Sequence, residues 1–89
     1  MDTSLLRKPS VLSKRGRGNS QLYREIADGL MTPGIRRGAH CTVWPAYEID
    51  AINRAEIAGA TPDELRALVR QLVEQRTRMR PSTPTSVAA

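Results

Sequence analysis

The sequence predicts a mainly α-helical fold with one short two-stranded hairpin, and three observations carry that expectation. Apolar residues recur at spacings of three and four in separate stretches along the chain. The signature "TPDEL" stands before the longest of these stretches, as a capping box would. Between the second and third stretches, Pro33, Gly34 and Gly38 interrupt the helical period, and β-favouring residues flank them.

The elements follow in chain order. "KPSVLSKRG" has a proline suited to a first helical turn, Val11 and Leu12 as anchors, and Gly16 as the end. After the "RGRG" turn, Asn19 or Ser20 can cap a second helix, with Leu22, Ile26 and Leu30 spaced four apart on one face and Gly29 as the C-terminal stop. "MTPGIRRGAHCTVW" then reads as two short strands joined by a turn near Arg37 to His40. "PAYEIDAINRAEIAGA" returns to helical spacing, with Tyr47 or Glu48, Ile49, Ile52 and Ile57 as markers and Gly59 as the stop. In "TPDEL", Thr61 caps, Pro62 takes the first helical position, Asp63 complements the dipole, and Glu64 closes the box. Leu65, Leu68, Val69, Leu72, Val73 and Met79 continue one stripe for about four turns. "RPSTPTSVAA" has little to bury and is expected to be a flexible tail. The expected division is one small domain over 1–59, an amphipathic helix over 60–80 and a disordered tail over 81–89, on a chain of 89 residues whose core can be only modest.

Charge is distributed unevenly. Residues 1–44 hold Arg7, Lys8, Lys14, Arg15, Arg17, Arg24, Arg36 and Arg37 against only Asp2, Glu25 and Asp28, whereas the remainder is balanced, so the first half carries the whole net charge of +5. Such asymmetry points to a surface that meets a polyanion, backed by a neutral scaffold. Nearly all of the bases are arginine, the side chain that forks onto phosphate and guanine.

Other classes are disfavoured. The lone Cys41 cannot form an internal disulfide. No apolar run approaches the roughly 20 residues of a membrane span, and "MDTSLLRKPS" lacks a signal-peptide core. A cytoplasmic protein of bacterial or phage origin, nucleoid-associated when bound, is therefore expected, with no membrane or small-molecule partner. His40 and Cys41 are adjacent and would point to opposite faces of a strand, and the chain has no other Cys or His, so no metal site or other cofactor is expected. His40 also lacks a nearby orienting carboxylate, and an enzyme is not expected.

Two short helices joined by a glycine-bearing turn suggest a helix-turn-helix, which pushes the start of its second helix outward. With Leu22 and Ile26 facing inward, Asn19, Ser20, Gln21 and Arg24 remain outside. Gln21 and Arg24 suit adenine and guanine edges, and Ser20 suits a phosphate. The alternative is an ordinary solvated helix behind a basic loop. The hairpin favours DNA: Arg36, Arg37 and His40 would form the wing of a winged helix-turn-helix, with Arg15 and Arg17 gripping the backbone from the turn. Protection of an exposed edge strand by charge is the competing account of Arg36 and Arg37. Trp44, Tyr23 and Tyr47 are expected to pack in the core.

The order "LLRKPSVLS…NSQLYREIADGLMTPGIRRGAHCTVWPAYEIDAI" resembles the AlpA-like, MerR-related small winged-helix proteins of phages and mobile elements. Leu22, Tyr23, Arg24, Ile26, Gly29, Pro33, Gly38, Trp44, Glu48 and Ile49 stand at matching places. Two departures add charge: "KRGRGN" replaces a Thr-Gly-Leu-Ser type of turn, and Arg37 stands where an aliphatic residue is common. The resemblance implies an excisionase, or recombination directionality factor, with the RdfS type as the candidate, that bends attachment-site DNA for a tyrosine or serine integrase. The alternative it implies is a transcriptional regulator of promoter DNA, which the small size and high basicity fit less well. An adaptor that binds an integrase without touching DNA is the alternative of another class.

The last helix has two readings: it covers the domain, or Leu65, Leu68, Leu72 and Met79 form a seam for a neighbouring protomer in a head-to-tail array on DNA. Arg76, Arg78 and Arg80 either complement the helix C-terminus, with Glu74 pairing Arg78, or begin a basic arm that follows a groove through Pro81 to Ser86.

Overall fold

Pro9 in the first turn and Gly16 in the left-handed region (φ 64°) frame the first helix, α1 (Lys8–Arg15), in the computed structural model, which describes residues 3–80. The Gly16 and Arg17 N–H groups donate back to Ser13 and Leu12 carbonyls at 3.2 and 3.1 Å, which satisfies the helix end and reverses the chain. The chain before it forms β1 (Leu5–Arg7), and the chain after it forms α2 (Asn19–Ala27), β2 (Ile35–Arg36), β3 (Thr42–Pro45), α3 (Ala46–Ile57) and α4 (Pro62–Arg78). The protein is mainly helical with one small antiparallel sheet.

The strand order is β1-β3-β2, with Leu6 opposite Trp44, Arg7 opposite Val43, and Ile35 opposite that same Val43. The hairpin β2–β3 follows from the sequence pattern, but β1 does not: three residues are too few to show an alternation. Its pairing places the start of α1 beside the hairpin.

A single core joins every helix. Val11, Leu22, Met31, Trp44, Ile49, Ile52, Leu65, Val69 and Leu72 are all buried and mutually packed. Trp44 donates its indole N–H to the Thr32 carbonyl at 3.0 Å, so the largest core residue leaves no unpaired donor. Gly34 lies against its ring, leaving no room for a side chain. In α4, Leu65 and Leu72 face this core and Leu68 packs at its edge. The expected protomer seam is therefore turned inward, and only Met79 of that set, 47% exposed, remains outside. Thr61 and Glu64 form the capping box in both directions, at 3.2 and 2.8 Å.

Three expectations are corrected. Gly18, in extended conformation, occupies the cap position of α2, so Asn19 and Ser20 stand in the first turn and neither caps. Ile57 is 86% exposed because the last turn of α3 meets the core through Ala55 and leaves Ile57 off that face, so it anchors nothing. Tyr23 is half-exposed on α2 and not a core residue, with the Lys8 ammonium 5.4 Å from its ring centroid. The proposed tail over 81–89 lies outside the described residues. Among the described residues, no helix is long and apolar enough to cross a membrane.

Candidate nucleic-acid interface

Helix α2 is pinned by Leu22, which is fully buried, with Ile26 half-buried one turn later. That anchor turns Asn19, Ser20, Gln21 and Arg24 outward, and all four are exposed. The helix has no acidic residue in its first turn and no side-chain cap, so its N-terminal N–H groups and dipole present positive potential there. Arg24 makes no ion pair among the described residues.

The turn between β2 and β3 is closed by the Arg37 N–H donating to the Cys41 carbonyl at 2.7 Å. Arg36 donates to the Ala39 carbonyl at 3.1 Å, which stiffens the turn while leaving its charge unneutralised. Arg37 and His40 are exposed and meet no carboxylate among the described residues.

An open cleft of about 220 Å³ lies between these two elements. Tyr23 of α2 forms part of one wall, His40, Cys41 and Thr42 line the side of the turn, and Arg7 and Lys8 line the junction of β1 with α1. The exposed stretch of α2 and the basic turn are thus neighbours. Compared with protein-family models, curated proteins and solved structures, the chain matches none. Arg7, Lys8 and Tyr23 are the members of this surface that sequence reasoning missed. The signal was present in the adjacent bases of "RKP" at a helix start, but only the pairing of β1 with β3 brings them beside the turn.

Arg15 and Arg17, expected to contact DNA from the turn, are instead committed to the interior side of the fold. The Arg15 side chain is 1% exposed and lies against Glu25 and Glu56. Its Nη1 donates to Asn53 Oδ1 and Glu56 Oε1, both at 2.7 Å, and its Nη2 donates to Glu25 Oε1 at 3.2 Å. Arg17 donates to Glu25 at 2.8 Å and to Glu56 at 3.4 Å. This network ties α1, α2 and α3 together. Burial works against the Arg15 charge, but hydrogen bonding and attraction from Glu56 and then Glu25 outweigh it and raise its pKa. The hydrogen bond from Arg15, opposed by burial and aided by both guanidinium charges, lowers the pKa of Glu56.

The expected C-terminal arm is corrected at its first member. Arg76 clasps Glu48, donating from Nε at 2.7 Å and from Nη2 at 2.6 Å, and Nη2 also donates to the Pro33 carbonyl at 2.9 Å. Glu48 is fully buried, so Arg76 is its counterion and not a DNA contact. Beside this pair, burial and then the Glu48 charge raise the pKa of Tyr47, with Arg76 opposing. Arg78 pairs with Glu74 at 3.1 Å across one helical turn. Arg80 is exposed, and the rest of the suggested arm lies outside the described residues.

Proposed function

We propose that the protein binds duplex DNA in the manner of a winged helix-turn-helix, with α2 in the major groove and the 37–41 turn against the adjacent backbone or minor groove. Gln21 and Arg24 read base edges, Asn19 and Ser20 meet phosphates at the start of α2, and Arg36, Arg37 and His40 grip the strand beside it. The observation that carries this reading is the shared cleft: Tyr23 of α2 and His40 of the turn line one opening together with Arg7 and Lys8, so α2 and the turn that bears Arg36 and Arg37 flank one basic cleft. The ion pairs of Arg15 and Arg17 support it indirectly. With these bases engaged internally, the uncompensated charge of the first half is concentrated on α2, the turn and the start of α1.

The resemblance to AlpA-like proteins extends the proposal to the role of an excisionase that bends attachment-site DNA for an integrase. A mobility-shift titration of the full chain on duplex DNA tests the first step, and retardation at physiological salt is expected. No retardation there would overturn the DNA reading in favour of an integrase adaptor. The second step is tested by adding the protein to an integrase reaction on attachment-site DNA. Protein that retards this DNA but leaves excision unchanged would assign it to transcriptional regulation instead.

A further inference from the structure

We propose that the cleft between the start of α1, α2 and the 37–41 turn is a phosphate site, and that in the DNA complex it takes one backbone phosphodiester. The inference rests on the DNA-binding reading above and deepens it by adding Arg7, Lys8 and Tyr23 to the interface.

The cleft gathers a guanidinium from Arg7, an ammonium from Lys8 and an imidazole from His40, and no carboxylate lines it. The side chains of Arg7 and His40 have no hydrogen-bond or ion-pair partner among the described residues, so their side-chain donors are uncommitted. Helix α1 begins in this wall with no side-chain cap and no acid in its first turn, which adds the positive end of its dipole. Lys8 is held over the Tyr23 ring at 5.4 Å, which keeps its charge at the wall instead of free in solvent. That contact favours a phosphate over a stacked nucleobase, because Lys8 takes up one face of the Tyr23 ring and brings its ammonium to the opening. The Tyr23 hydroxyl is a further donor of the kind that meets DNA phosphates. The position fits as well, because a strand running from the groove entered by α2 to the turn must cross the opening between them.

The test is a titration of the full chain on a specific and a random duplex over a series of salt concentrations, beside the variants Arg7→Gln with Lys8→Gln, and Lys8→Arg. The double variant is expected to lose roughly tenfold in affinity for both duplexes alike and to flatten the log–log salt slope by about one to two, whereas Lys8→Arg retains wild-type behaviour. Circular dichroism melts establish that the double variant is folded. Should it not be, Lys8→Gln alone, at the first residue of α1, replaces it with an expected slope change of about one. Unchanged affinity and slope in a folded variant would overturn the phosphate site while leaving DNA binding by α2 and the turn intact. If the wild-type protein binds no duplex, the DNA reading fails separately, and the cleft is judged by NMR with inorganic phosphate. Saturable shifts at Tyr23 and His40 that vanish in the double variant would then assign a free phosphate, and their absence would overturn the site.

Discussion

Glu48 has no exposed surface, and its carboxylate is held by the Nε and Nη2 groups of the Arg76 guanidinium. Arg76→Ala would strand a buried charge and is expected to cost about 3–5 kcal/mol in a urea titration. Arg76→Lys should recover only part of this, because one ammonium cannot reach both carboxylate oxygens and the Pro33 carbonyl. The Arg15 network adds a pH dependence. Since Arg15 holds the Glu56 carboxyl below its ordinary value of 4.5, the stabilisation is fully present above that pH and is lost as pH falls through the depressed folded value. Melting temperatures measured down this acid limb should fall less steeply in Glu56→Gln than in the wild type. Neither arrangement was legible in the sequence. Arg15 and Arg76 read as free bases there, because their carboxylate partners stand up to 41 and 28 residues away, and only the fold brings them together.

Legibility at the level of elements follows how local each signal is. The α4 start was readable because Thr61 and Glu64 are three residues apart and complete the box between themselves. The outward face of α2 was readable from Leu22 and Ile26, whereas β1 was not, since its identity depends on a partner strand far along the chain. The hairpin hides one more dependence. A Cβ on Gly34 would collide with the Thr42 methyl and lie 2.9 Å from Trp44 Cζ2. Gly34→Ala is therefore expected to destabilise by about 1–3 kcal/mol as β2 shifts off the indole. Thermal melts and a red-shifted Trp44 emission would register this, and an unchanged melt would show that the hairpin yields freely.

For the molecule as a whole, net charge overstates what can meet a polyanion. Arg15, Arg17 and Arg76 are already paired inside, which leaves Arg7, Lys8, Arg36 and Arg37 around the cleft and the turn as the candidates for phosphate contact, beside Arg24 as a base reader. If all four engage, the salt dependence of DNA affinity should have a log–log slope of about −3.6. Arg24→Ala is expected to cost about 1–3 kcal/mol on the specific site and to relax discrimination at one base pair, whereas Arg37→Ala should weaken every sequence equally. Equal losses on specific and random DNA for both variants would remove the division between reading and gripping. The sheet order bears on any such complex. The return strand of the hairpin is bonded along both edges and passes at Pro45 directly into α3. A sideways load on the tip would therefore be shared by the first strand and the third helix, so a bent duplex would lean on a braced corner and not on a hinged flap.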